Sequence, residues 1–363
     1  MNFQKNKINI FVVCFYFASK GGNGAAEVTL SLFNSINDNK KLFEINDTKI
    51  KNIFLNFIFK IKNIIAFIFK IKKIIRNYNK NVIIIEGASW IGYSFIFFLL
   101  GKFFFKKSTF IYHSHNIEYD IRIKNKSNKF IIFLSKYFEK FLFRYCNYST
   151  VVSLNDKKRI KKLYKENPYI LENGVDIKRL KIQKPIFEVP KKYFMFIGSY
   201  WFNPNKEAID EILDKLYPII IKIYPNINFI ITGSGFPLEK LKNKNIKYFK
   251  NIKKNNLNFL IKNAEFLLFP MKKATGTKIK IIESLILGGR IITTIHGVKG
   301  INLISESIPI IYRENYELKK IIKNKIYKKK YSKNSKRIML YYKKKYYMKF
   351  IFNNFLKKIN LNE

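Results

Sequence analysis

Cysteine is nearly absent from this sequence: two in 363 residues, Cys14 and Cys146, each inside an apolar run. That scarcity excludes a disulfide framework and a cysteine-based metal motif, and it suits a reducing, cytoplasmic compartment. Histidine is rare too, with three residues, so any imidazole chemistry has few places to reside. Acidic residues are the third shortage, 24 against 70 Lys and Arg, which leaves a net charge of +46. The basic excess rises together with Asn, Ile, Phe and Tyr along the whole length. It therefore reads as biased composition rather than a localised nucleic-acid patch, and nucleic acid is not an expected partner. An anionic membrane surface is the partner the charge does admit. No apolar run reaches the roughly 18 residues of a membrane span. The stretch from Tyr93 to Leu100 is too short, and Gly101 and Lys102 interrupt it.

Apolar residues, at 48%, are sufficient for real cores, and the length suits two domains. Lys5 and Lys7 before the run from Ile8 to Phe17 imitate a signal peptide. The run leads directly into a glycine-rich stretch, residues 20–26, and this order predicts a buried first strand feeding a ligand-facing loop. Further strands are predicted at 82–85, 109–113 and 149–152, with a helix over 130–145. The second half alternates more cleanly, with strands at 193–197, 228–232, 246–249, 266–269 and 290–295. Helices are predicted at 207–217, 255–262 and 277–287, the first from Ile209, Ile212, Leu213, Leu216 and Tyr217 at helical spacing. Residues 181–192, with two prolines and little periodicity, read as a linker. Such β-α repetition predicts an α/β protein of two doubly wound, Rossmann-like domains facing a cleft. The domains fall at 1–183 and 184–340, with a helical tail over 341–363 packing back on the first domain. In such sheets ligands sit beyond the carboxyl ends of the strands. The loops of interest are then 19–25, 86–90, 113–118, 198–205, 233–237, 270–277 and 294–300.

The helix at 277–287 is the first place to look for chemistry. Ile279, Ile281, Ile282, Leu285 and Ile286 cover most of its circumference. Lys280, Glu283 and Ser284 share the remaining polar sector, with Lys278 on the opposite side. An ordinary surface pair would read the same way. The preceding Thr275, Gly276 and Thr277, however, leave free amides at a helix start, where anions bind. Amides and Lys at one end and a carboxylate at the other describe a site for a nucleoside diphosphate, with Glu283 on the ribose diol.

At the strand end over 109–113, His113-Ser-His115-Asn-Ile-Glu118 offers a His-x-His pair. No third metal ligand has sensible spacing, Glu118 being a candidate only. A structural histidine bonded to backbone is the plain alternative. His296 has no assigned role. The segment 51–76 alternates Lys with Ile and Phe, as a bilayer-docking amphipathic helix does; a Phe- and Lys-rich packing layer reads identically. The basic, aromatic stretch 323–349 shares the composition of the whole chain.

The segment from Gly276 through Glu283 to Thr294 resembles the donor-site segment of glycosyltransferase family 4, which has the GT-B fold. Asn173-Gly-Val-Asp176, the strand and loop from Phe196 to Asn205, the run from Ala264 to Pro270, and Gly297-Val-Lys-Gly300 are similar to further motifs of that family, in order along the chain. The resemblance implies a retaining, metal-independent transfer from a UDP- or GDP-sugar, with no resident cofactor, to a glycan or lipid-linked acceptor. Cell-surface polysaccharide or lipopolysaccharide synthesis is the implied setting, with the protein cytoplasmic or peripheral on the inner membrane face. Glu283 would bind the ribose, and the amides around Gly276, Thr277 and Ile279, with Lys278 or Lys280, the diphosphate. Gly198 and Ser199 would line the phosphate side, Gly21 and Gly22 would approach donor or acceptor, and His115 would touch the donor sugar. Thr275 stands where many members carry a second Glu that contacts the sugar. That departure also admits a catalytically silent scaffold, and the basic charge leaves a plain membrane-surface binding protein as a further alternative.

Overall fold

The computed structural model describes residues 8–19, 24–45, 52–75, 80–241, 243–272, 278–304 and 308–361. The chain divides into two compact units. The first runs to Gly174 and resumes at Met348, while the second spans Val175–Tyr347. These crossing points compare with the 183/184 and 340/341 set from sequence. The first crossing lies inside Asn173-Gly-Val-Asp176. There Val175 N donates to Tyr346 O at 2.7 Å, so the outgoing and returning chain run side by side. Gly174 is required by that approach, since a Cβ on it would lie 2.7 Å from Met348 Cα.

The first unit is built from β1 (Asn9–Cys14), α1 (Gly24–Ser35), β2 (Asn39–Glu44), α2 (Ile53–Ile75), β3 (Asn81–Glu86), α3 (Ile91–Phe104) and β4 (Thr109–Ser114). Then follow α4 (Glu118–Lys124), α5 (Lys129–Tyr145), β5 (Tyr148–Val151), α6 (Leu154–Tyr164) and β6 (Tyr169–Ile170). All six strands are parallel, in the order β2-β1-β3-β4-β5-β6. β1 and β3 are buried at every position, as central strands covered on both faces must be. The apolar run that imitates a signal peptide is thus the second strand of a packed sheet.

In the second unit β7 (Tyr193–Ile197), α7 (Asn203–Glu211), α8 (Tyr217–Ile223), β8 (Asn228–Gly233), β9 (Ile246–Lys250) and α9 (Lys254–Asn263) come first. They are followed by β10 (Phe266–Phe269), α10 (Ile279–Ile286), β11 (Ile291–Thr293), β12 (Ile310–Ile311), α11 (Asn315–Lys323) and α12 (Ile326–Lys345). Its sheet is parallel too, ordered β12-β11-β10-β7-β8-β9. The helix predicted over 207–217 is part of a longer one, α7 joined to α8 through a π-helical turn at Ile212–Leu216. Pro218, at the start of α8, has no N–H to donate and would crowd the carbonyl one turn back; the wider turn accommodates it. The predicted linker belongs to this unit. Asn258 Nδ2 donates to Lys181 O at 2.8 Å, and Asn256 Nδ2 to Gln183 O at 3.2 Å.

The last helix, α13 (Met348–Lys358), belongs to the first unit. Met348, Phe352, Phe355 and Leu356 share a core with Ile10 and Val12 of β1, Ile84 of β3 and Leu32 of α1. Full burial of such side chains contributes about 1.5–3 kcal/mol each, which is why the tail returns to the N-terminal sheet. The opposite face of that sheet is covered by α2, α3 and α5, through Ile64, Phe67, Phe97, Phe98 and Leu142.

Candidate functional site

Each unit carries its own cluster of polar groups where the parallel strands end. In the first unit, β3 is apolar from Val82 to Ile85 and ends at Glu86, whose side chain is fully buried. Two groups bond it directly and a third bonds one of those. Thr29 Oγ1 on α1 donates to Glu86 Oε2 at 2.7 Å, and the Tyr16 hydroxyl lies 2.6 Å from Thr29 Oγ1. His115 Nε2, just past the end of β4, lies 2.5 Å from the same Glu86 oxygen. Burial pushes the Glu86 carboxyl up, but His113, His115 and the bonds from His115 and Thr29 outweigh it, so the net shift is downward. An ionised Glu86 fixes the proton of His115 on Nε2 and leaves Nδ1 as the acceptor of the neutral ring.

His113 faces differently. Its Nδ1 is 2.7 Å from Thr150 Oγ1 on β5, and its ring centroid is 4.8 Å from that of His115. Burial, with the neighbouring His115, lowers its pKa to about 4 against the pull of Glu86, so it is neutral at pH 7. Donor atoms of Glu86, His113 and His115 lie within 4.8 Å of one another, close enough to be considered for a metal ion. The third group is therefore Glu86, not Glu118. Glu118 is engaged by Arg122 of its own helix. Glu86 Oε2 and His115 Nε2 are already bonded to each other, whereas Glu86 Oε1 and His113 Nε2 are buried without a hydrogen-bond partner among the described residues.

In the second unit, the ends of β7 and β8 are knitted together. Gly198 N donates to Thr232 O at 2.9 Å, Tyr200 N to Ser234 O at 2.8 Å, and Ser234 Oγ to Ser199 Oγ at 2.9 Å. Gly233 has φ +142°, and a Cβ there would fall 2.3 Å from Gly198 O, so no other residue fits. Gly198 and Ser199 thus lie in a tight, backbone-lined turn.

α10 begins at Ile279, with Lys278 as its N-cap residue. Lys280 and Glu283, one turn apart, find different partners. Lys280 Nζ donates to Ile197 O and to Asn205 Oδ1, both at 2.8 Å, and sits 4.5 Å from the Phe196 ring centroid. It ties α10 to the end of β7 and the start of α7. Desolvation of its ammonium, with Lys278 adding repulsion, lowers its pKa to about 7. Glu283 is buried and takes Lys254 Nζ of α9 at 2.6 Å. Ser284 Oγ bonds back to Lys280 O at 2.6 Å. The structure thus gathers Gly198, Lys280 and Asn205, pairs Glu283 with Lys254, and seats His115 in the other unit. Gly21, Gly22, Thr275, Gly276 and Thr277 lie outside the described residues. His296 is exposed.

Several of these groups escaped the sequence reading. Glu86 had a visible signal, a lone carboxylate ending an otherwise apolar strand run. Thr29, Tyr16 and Lys254 had none, because their roles come from partners 13 to 57 residues away.

No protein-family model matches the chain, and no curated protein matches it. Solved structures do. A sucrose-phosphate synthase from Thermosynechococcus elongatus superposes with a TM-score of 0.70 at 10% identity, covering 98% of this chain and 100% of the other. The fold is the GT-B fold. The Anabaena protein HepE in complex with UDP and glucose gives 0.67 at 11% identity, covering 97% and 99%. A glycosyltransferase from Rickettsia africae gives 0.63 at 14% identity, covering 97% of each chain. At such identities the likeness carries the architecture, and the chemistry has to be argued from the residues.

Proposed function

We propose that this protein is a retaining, metal-independent glycosyltransferase that moves a sugar from a UDP- or GDP-sugar to a glycan or lipid-linked acceptor. The observation that carries the reading is the pair of groups on α10. Glu283 is a buried carboxylate midway along α10, and Lys280 is a cation of lowered pKa beside the turn at Gly198. Glu283 accepts the ribose hydroxyls, Lys254 holding its other side. The diphosphate lies against the amides that open α10 and draws on the charge of Lys280. The glycine turn lets it approach the backbone, as in other phosphate sites. His115, oriented by Glu86, accepts a hydrogen bond from a hydroxyl of the donor sugar at Nδ1. As the bond from the sugar to the diphosphate breaks, the charge on the leaving diphosphate is met by Lys280 and the amides, while the acceptor hydroxyl oxygen forms the new bond on the same face and passes its proton to the departing phosphate oxygen. HepE, in complex with UDP and glucose, shares the architecture, which supports a uridine nucleotide as the first donor to try. The same chemistry on a membrane-linked precursor would place it in cell-surface polysaccharide synthesis.

Thermal shift with UDP and with GDP tests the reading. Ligand binding to the folded state raises the unfolding temperature, by mass action. One of the two is expected to do so, and the effect should shrink with pH. Lys280 titrates near 7 in the free protein. At pH 6.5 most of the population carries the charge, whereas at pH 8.5 about 3% does, so the apparent Kd should weaken at least tenfold. A chain that has lost its site and serves as a scaffold shows no shift with either nucleotide at any pH.

A further inference from the structure

One face of the N-terminal unit is unlike the rest of the surface. α3 packs between α2 and α5, and together these three helices cover one side of the sheet. Their inner sides are ordinary core. Their outer sides carry half of the large apolar side chains exposed among the described residues, in three helices out of thirteen. Ile65 and Phe69 protrude from α2, Phe103 from α3, and Phe130, Phe133 and Tyr137 from α5, with exposures between 43% and 69%. The spacing on α5 is i, i+3, i+7, a single outward stripe. They are linked across the helices rather than scattered. Phe104 stands 6.5 Å from Phe69 and 5.1 Å from Phe103, and Phe141 of α5 stands 6.5 Å from Tyr137 and 5.1 Å from Phe95 of α3, centroid to centroid. Isolated exposed apolar residues need no explanation, but a continuous patch does.

The charges on this face select what covers it. α2 and α3 contain no Asp or Glu, and they carry Lys60, Lys62, Lys70, Lys72, Lys73 and Lys102. α5 adds four more basic residues, and its one acid, Glu139, is buried and bonded to Tyr164 and the Glu118 amide. The face is therefore apolar side chains among cations, with no carboxylate exposed on these helices. A second copy of the chain would bring cations against cations. A nucleic acid would satisfy the lysines but leave the aliphatic and phenyl groups without an apolar phase. An anionic bilayer offers both at matching depths: phosphates for the ammonium groups and acyl chains just beneath for the rings.

We propose that the outer face of α2, α3 and α5 is a docking surface for an anionic lipid bilayer. The proposal stands apart from the transfer reaction, because it uses none of the residues assigned to donor binding. The full chain is sedimented with vesicles of phosphatidylcholine alone and of phosphatidylcholine mixed with about one-third phosphatidylglycerol. Two triple variants accompany it, Phe69→Ser/Phe103→Ser/Phe133→Ser and Lys62→Glu/Lys73→Glu/Lys140→Glu. All six positions are solvent-facing, so unchanged unfolding midpoints and an unchanged nucleotide-induced shift would show that fold and donor site persist. The wild-type chain is expected to bind the mixed vesicles at least tenfold more tightly than the neutral ones, and each variant to lose at least tenfold. Failure of the wild type to bind, or equal binding by both variants, overturns the proposal. A wild-type dimer that the Phe variant turns into a monomer would also overturn it, by assigning the face to self-association.

Discussion

Replacing Glu283 with alanine is expected to lower kcat/KM for the donor by about 10²–10³-fold while the protein stays folded. Two hydroxyls held by one carboxylate are charge-assisted hydrogen bonds. At about 1.5–2 kcal/mol each, the lower part of their usual range because solvent still reaches the pair, they sum to about 3–4 kcal/mol, and each 1.36 kcal/mol is a factor of ten. The loss should appear mainly in donor KM and in UDP or GDP affinity, because the ribose is held equally in ground and transition states. The fold should tolerate the change. The Glu283–Lys254 pair retains solvent on the lysine side, at 23% exposure, so the orphaned ammonium can return to water. Lys254→Ala leaves the carboxylate in place and should cost far less than Glu283→Ala. Equal losses would mean the pair is merely structural. Kinetics on the two variants, with unfolding midpoints alongside, check this.

The second large effect belongs to the other unit. His115→Ala is expected to lower kcat by about 10²–10³-fold, the scale for removing one group that stabilises a transition state. Glu86→Gln should follow in the same direction by a smaller factor. The amide keeps the shape of the buried side chain but removes the charge that holds the Nε2 proton of His115. Neither change touches the second unit, so the nucleotide-induced thermal shift should survive in both. Loss of that shift together with activity would show that the changes damaged the fold rather than the chemistry. A Glu86→Gln enzyme with wild-type kcat and pH profile would remove Glu86 from the account.

Much of the architecture was readable because most central strands are short apolar runs closed by glycine or polar residues. Tyr193–Ile197 and Phe266–Phe269 fall where the pattern puts them. β2 was missed for an equally physical reason. It is an edge strand, Asn39–Glu44, alternately exposed and rich in lysine, so it resembles a loop in composition. On α10 the helical projection correctly separates the apolar side from Lys280 and Glu283. A projection sees only its own helix, however. It cannot show that Glu283 turns to Lys254 on α9, or that Lys280 reaches back to Ile197 and Asn205. The same holds for His115, whose place at a strand end was legible while its orientation by Glu86 arises from the β3–β4 pairing.

The central claim of the proposed function is that this protein transfers a sugar from a nucleotide donor held at Glu283 of α10. The most direct measurement is release of nucleoside diphosphate from a panel of UDP- and GDP-sugars, with and without a chelator, for wild type and Glu283→Ala. The account predicts release from at least one donor, undiminished by the chelator and reduced about 10²–10³-fold in the variant. Release that the chelator abolishes, or that Glu283→Ala leaves unchanged, would contradict it.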